Sequence, residues 1–404
     1  LNVSYFIARR YLLSKNTLSI ISIMSMICML VVALVTMAMV VILSAFNGID
    51  TLIDERYSYF DADISILPLT DKVIKADSIN CASIESIVGV KSCSRVIEER
   101  VFAQYDGKQR IVKLKGVEPG FLIEAGMDSM VIDGVASLEI ENTAAALIGV
   151  GVKYDLNLRM FEQIFNPLQL SAVIRGMNLR QNMESALNRR SIPVAGIFSI
   201  NIDFDSDYVI VPFNYASDLL RYNNEYSTLE LRLLPNANAD KVQDELQALL
   251  GANYRVETRQ QKNGLVYKTN RTEKWATFLI MGFIMLIATF NIIAALTLLI
   301  NEKRNDIGIL SGMGASTGLI KQIFFIEGAL INLVGASFGI GLGFLFVYLQ
   351  RNYGLIRLEG GLVEYYPVEI NSPDLLAIFA LVLVCGLISS LVPVQVFTRR
   401  YSNV

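Results

Sequence analysis

Catalytic chemistry needs a nucleophile with a base, or a metal cluster, and this sequence supplies few of the parts. It contains no histidine. That excludes imidazole general-base chemistry, His-containing zinc sites and His-based pH switching. Its four cysteines, Cys28, Cys81, Cys93 and Cys385, form no C-x-x-C pair, so a cysteine metal site is not expected. Cys28 and Cys385 fall inside apolar runs and read as small fillers. Cys81 and Cys93 share a polar region and could pair if that region faces an oxidising compartment. No nucleophile–base pair or repeated acidic motif stands out, so no catalytic residue and no metal ligand is assigned.

The most ordered charged stretch is NEKRNDIGILSGMGAST, residues 301–317. It is not a phosphate loop: the pattern G-x-x-x-x-G-K-[ST] needs a lysine and a preceding strand. It reads as a short amphipathic helix. Asn301, Glu302 and Asp306 suit a helix start. Ile307, Leu310 and Met313 recur at i, i+3 and i+6 with Ile309 beside them, and Lys303 and Arg304 take the opposite side. Gly314 is a natural stop, and Ser316 can cap a following helix. The residues alone leave two roles open: a connector lying at the lipid interface, or a helix whose apolar face docks into a groove on a partner.

The elements around it are apolar. The chain has 404 residues, 53% of them hydrophobic, with a net charge of −3 and a mean hydropathy of +0.45. This composition predicts membrane spans plus one water-exposed domain, and no basic footprint for nucleic acid. A span needs roughly 20 apolar residues. Four stretches qualify: 18–46, 275–300, 319–349 and 375–397. The first is too long for a secretory leader and reads as an uncleaved anchor, able to continue as helix beyond the bilayer. Arg9, Arg10 and Lys15, then Lys303, Arg304 and Lys321, then Arg399 and Arg400 flank the spans on one side. The excess of basic residues predicts that residues 1–17, 301–317 and 398–404 are cytoplasmic. Residues 47–270 then form a large external domain, and 351–372 a short external loop.

The external domain reads as α+β. Strand-like patterns at 62–67, 96–104, 110–116, 228–233 and 253–258 alternate with helical ones at 78–88 and 239–250. Asp106-Gly107 between two strand-like runs predicts a hairpin. Two subdomains are expected, an α+β one built from both ends and a β one from the middle. Residues 174–190 read as a long polar connection between strands, either a loose tip or a docking arm.

Within the spans, Ser19, Ser22 and Ser25 recur every three residues, and Gly335, Gly339 and Gly343 form two overlapping GxxxG motifs. Both patterns predict close helix packing. Glu327 is the exceptional charge, expected near the cytoplasmic boundary or facing a partner. Asn291 and Asn332 are polar, but no acidic relay links them. Energy for transport would therefore come from a partner.

The run Glu302 to Ser316 resembles the cytoplasmic segment of FtsX-like/MacB-type permeases of ABC transporters, and more narrowly the LolC/LolE lipoprotein-releasing branch. FIARRYL at 6–12, VILSAFNG at 41–48, LKGVEP at 114–119, LIGVG at 147–151, VAGIF at 194–198 and EKW at 273–275 are similar to further pieces of that family, in order. The resemblance implies four membrane helices with a MacB-like periplasmic domain between the first two, in a bacterial inner membrane. It implies a second permease copy or paralogue and separate cytoplasmic ATPase subunits that bind the ATP and Mg, with no cofactor in this chain. Glu302, Lys303, Arg304, Asp306, Ile307, Ile309, Leu310, Met313 and Gly314 would form the helix that couples to the ATPase. A triacylated lipoprotein would be the cargo, with Met37, Val40, Phe46, Phe278 and Met285 facing its acyl chains. A periplasmic chaperone would receive it, docking on an arm containing Arg175, Met177, Leu179 and Arg180. An FtsX-like signalling role or MacB-like efflux are the alternatives.

Overall fold

The computed structural model describes residues 4–8, 20–160, 166–174, 186–358 and 363–401. The chain divides into two compact units, residues 1–52 with 268–404, and residues 53–267. Among the described residues, four helices are long and apolar enough to cross a membrane. They run Ile20–Ser58, Gly264–Glu302, Thr317–Tyr353 and Ser372–Tyr401, and are called here the first to fourth membrane helices. The first and second have 39 residues each. At 1.5 Å per residue that is about 58 Å, far more than roughly 30 Å of hydrocarbon. Both therefore outrun their apolar stretches. Residues 47–58 and 264–270, assigned from sequence to the external domain, are helical. NGIDTLIDERYS at 47–58 contains no proline, so nothing in it halts the first helix.

Among the described residues of the second unit, eleven strands form the main sheet. They are β1 (Ile64–Pro68), β2 (Val90–Tyr105), β3 (Lys108–Val117), β4 (Val131–Gly134), β5 (Ala146–Gly149), β6 (Leu168–Val173), β7 (Leu187–Ile192), β8 (Val194–Phe198), β9 (Tyr208–Pro212), β10 (Thr228–Leu233) and β11 (Tyr254–Thr258). The order is β11-β1-β10-β2-β3-β9-β5-β8-β4, with β6 also pairing to β2 and β7 to β6. The β3–β9 and β5–β8 pairs are parallel. Asp106 and Gly107 turn β2 into β3 with φ of 47° and 78°, as a two-residue hairpin turn demands. Both faces of the sheet are covered. Along β9, Val209 and Val211 enter one apolar core, while Tyr208 and Ile210 enter the other.

The 16-residue β2 pairs with β10 in its first half and β6 in its second, so strands from the ends and from the middle of the domain share one sheet. One expectation needs correction. The connection expected at 174–190 is shorter: Leu187–Ile192 is strand, pairing antiparallel with β6. Residues 175–185 lie outside the described residues, and with them Arg175, Met177, Leu179 and Arg180. Cys81 and Cys93 are bridged, their Cα atoms 5.8 Å apart. The bond fastens the helix Cys81–Glu85 to β2.

The sheet carries a buried ionic network. Lys115 of β3 is fully buried, 3.0 Å from Glu230 of β10, and donates to the Phe60 carbonyl at 2.7 Å. Its ammonium also lies 4.5 Å from the centre of the Phe60 ring. Lys262 lies 2.8 Å from Asp61, 3.6 Å from Glu98 and 3.7 Å from Glu230. Tyr208 donates to Glu98 at 2.6 Å, and Asn263 to Asp61 at 2.7 Å. Burial alone would raise the Asp61 and Glu98 carboxyls, but Lys262 and Lys115 beside them outweigh it and hold both below the usual range. Burial opposes the Lys262 charge, and Asp61, Glu98 and Glu230 overcome that, holding it well above its ordinary value.

These shifts fix the sign of the pH dependence. The depressed carboxylates stabilise the fold above the ordinary carboxylate range, and that contribution is lost as pH falls through their lowered values. Lys262 stabilises below its ordinary range, a contribution lost as pH rises through its raised value. The melting temperature of the purified chain should therefore be highest near neutrality and fall below about pH 4. Lys262→Met takes one cation from three carboxylates, leaving Lys115 alone to offset them, and should cost about 3–5 kcal/mol in denaturant unfolding, with a weaker acid dependence than the parent.

Candidate functional site

The short helix predicted between the second and third membrane helices spans Arg304–Gly312. Lys303 stands at its N-cap and pairs with Asp306 at 3.1 Å, while Asp306 in the first turn complements the helix dipole. Gly314 follows with φ +91°, and its N–H closes on the Ser311 carbonyl at 2.9 Å. Ser316 accepts from the Leu319 N–H at 3.2 Å and starts the third membrane helix.

The side chains divide differently from the expected single stripe. Ile307 is buried among Leu299, Ile300, Ile320, Phe324 and Val394. Leu310 is half-buried, whereas Ile309 is 63% and Met313 73% exposed. At 100° per residue Ile309 lies almost opposite Ile307, and Met313 has rotated well away from it. Ile307 anchors the segment, and Ile309 and Met313, four residues apart, share the outward side. Glu302 and Arg304 are exposed around them.

Inside the membrane unit, the glycines of the third helix meet the first. A Cβ at Gly335 would press on the Met29 carbonyl and Val32, one at Gly339 on the Ala33 carbonyl and Thr36, and one at Gly343 on Val40. The GxxxG stripe thus serves contact between these two helices. Thr36 lies in that seam fully buried, donating to the Val32 carbonyl at 2.7 Å, and Ser25 is buried near its start. The side chain of Ser22 and all of Ser19 lie outside the described residues.

Of the residues expected to face acyl chains, Val40 and Met285 are buried in the packed centre. Met37, Phe46 and Phe278 are half-buried. Where the first two helices face each other, Met39, Ile42 and Leu43 meet Thr277, Phe278 and Met281 with no space for a water molecule. A cavity of about 230 Å³ lies instead between the third and fourth helices, lined by Leu330, Asn332, Ala336, Phe379, Leu383 and their neighbours. Glu327, about three turns into the third helix, is buried, and its Oε2 has no hydrogen-bond partner among the described residues.

Sequence reasoning missed a polar cluster at the other end of the bundle. Lys274 of the second helix pairs with Asp374 of the fourth at 2.8 Å and donates to Asn47 Oδ1 of the first at 2.7 Å. Asn47 Nδ2 donates to Asp374 at 2.8 Å. Thr51 bonds Glu369, and Asn270 bonds Asp50. The available signal was a lysine on the far side from the other span-flanking cations, and an aspartate opening the fourth span. Among the described residues no group of acidic and cysteine side chains comes together to hold a metal.

Comparison with known proteins places this geometry in a family. A family model described as the MacB-like periplasmic core domain matches residues 25–249, and one described as the FtsX-like permease C-terminal region matches residues 278–401. The chain is 22% identical to the lipoprotein-releasing system transmembrane protein LolE of Haemophilus influenzae, over 97% of this chain and 96% of that one. It is 23% identical to LolC of Neisseria meningitidis serogroup B, over 98% and 96%. With LolC of Buchnera aphidicola subsp. Schizaphis graminum it shares 25% identity over 56% of each chain, so that match spans about half the relative's length.

The seam yields a test. Gly339→Leu should overpack the contact with Ala33 and Thr36 and lower stability in detergent by about 1–3 kcal/mol. Gly341→Leu should change it little, since nothing lies within 4 Å of that position.

Proposed function

Because the chain belongs to the MacB-like periplasmic core domain family and ends in an FtsX-like permease region, we propose that it is the permease subunit of an ABC transporter that extracts lipoproteins from the inner membrane. A separate cytoplasmic ATPase would bind ATP and Mg, a second permease copy or paralogue would complete the bundle, and a periplasmic chaperone would take the cargo. The lipoprotein reading rests on the likeness to LolC and LolE. The observation that carries the coupling is the exposed pair Ile309 and Met313 on a helix anchored by Ile307. An apolar pair held out on a short rigid helix suits docking into a groove of a partner, and the anchor transmits its displacement to the second and third membrane helices.

Orientation follows from the basic residues at the cytoplasmic span ends. The Cys81–Cys93 bridge supports an oxidising compartment for the large domain. The buried positions of Val40 and Met285 imply that room for acyl chains between the first two helices arises from movement or from the second subunit.

Purification from native membranes in mild detergent tests the assignment. Mass spectrometry should find a soluble ATPase together with triacylated lipoproteins. An ATPase with a periplasmic hydrolase and no lipoprotein would favour a signalling role, and no ATPase even after crosslinking would defeat the coupling argument. Ile309→Glu with Met313→Glu should abolish ATPase co-purification while leaving the melting temperature unchanged, because both side chains are solvent-facing.

A further inference from the structure

We propose that Asn47, Lys274 and Asp374 form a latch at the outer end of the membrane helices that must open during each transport cycle. The proposal rests on the permease reading above. Three helices meet at one ammonium. Lys274 of the second helix bonds Asp374 of the fourth at 2.8 Å and Asn47 of the first at 2.7 Å, and Asn47 closes the triangle to Asp374 at 2.8 Å. Asn47 is 7% exposed, and the Lys274 and Asp374 side chains are each about one-fifth exposed. Every polar head in the triangle therefore has a partner in a partly dehydrated place, where such bonds are stronger than on an open surface.

The latch also holds a strap. Chain between the third and fourth membrane helices returns across the first helix, where the Glu369 N–H donates to the Ser44 carbonyl at 2.8 Å. Asn47 Nδ2 reaches the Glu369 carbonyl at 3.3 Å, and Thr51 bonds the Glu369 carboxylate. The strap lies so close that a Cβ at Gly48 would collide with the backbone of Pro367 and Val368. Below it, the first two helices are packed without a gap at Leu43 and Phe278. Parting those helices for a lipid-sized guest requires Lys274 to leave Asn47, and requires Asp374, at the end of the strap, to let go of one of them. The polar contacts are hydrogen bonds and one ion pair, so the latch is strong enough to hold and weak enough to reverse.

The test uses the full chain in its complex in native membranes. Asp50→Cys with Asn270→Cys places two thiols across the first and second helices, where those residues bond each other, without touching the triangle. A short thiol-to-thiol crosslinker should bridge them efficiently at rest. Adding Lys274→Met should lower the bridging yield roughly fivefold, and Asn47→Ala should do the same if the first variant folds poorly. Bridged complex should lose ATP-driven lipoprotein release, while the reagent-treated single-cysteine controls keep it and cleavage of the linker restores it. Undiminished release from bridged complex would overturn the latch. If the untreated parent releases no lipoprotein, the permease reading fails and the latch's opening in each cycle fails with it; if the parent releases lipoprotein but Lys274→Met leaves the bridging yield unchanged, the latch alone is overturned.

Discussion

Two lysines, one wholly and one largely out of water, set the terms for the large domain. Lys115 and Lys262 meet Asp61, Glu98 and Glu230 where three segments converge: the chain just past the first membrane helix, the central strands, and the chain just before the second. An apolar centre of the same volume would hold those segments together at no desolvation cost. It would not fix which of them sits where. The charges accept only one arrangement, because any other leaves an ion in a dry interior. Phe60 adds to this by lending both its carbonyl and its ring to Lys115, so the end of the first helix is keyed to β3 through a single side chain.

The membrane unit relies on a different device. Apolar side chains gain little by leaving lipid for one another, so the helices associate through backbone proximity and a few polar contacts. Gly335, Gly339 and Gly343 supply the first along one seam. Asn332 supplies the second toward the fourth helix, donating to Ser389 at 2.9 Å across Gly386, which leaves room for it. The polar bonds at Lys274 belong to the end of the bundle, where water begins to compete.

What the sequence disclosed follows from the range of each interaction. Periodic apolar content marks spans and strands locally, so the four membrane helices, the strand Thr228–Leu233 and the helix Ala239–Leu250 were legible. Asp106-Gly107 was legible because only residues tolerant of positive φ make that turn. The triangle at Lys274 was not, since Asn47 and Asp374 are 327 positions apart and polar singletons carry no period. The unity of the sheet was hidden for the same reason. Ile309 was grouped with Ile307 because both are apolar, although two residues of helix turn them to opposite sides. The docking-arm residues stayed untouched by the structure, lying outside what it describes.

Strand β1 has a consequence for biosynthesis. Its two neighbours are β10 and β11, so a strand completed at Pro68 pairs only with residues 229–231 and 254–258. A ribosome delivers the chain in order, and β1 must wait for more than half of the protein to emerge. Its apolar Ile64 and Ile66 have no hydrogen-bonded partner strand in that interval, an edge open to wrong pairing. The Cys81–Cys93 bridge spans only 12 positions and can close early, but it cannot cover β1. The wait ends at Thr258, only a few residues before Gly264 opens the second membrane helix. Completion of the sheet therefore falls at the moment the next span reaches the insertion machinery, and a delay in either step exposes the other.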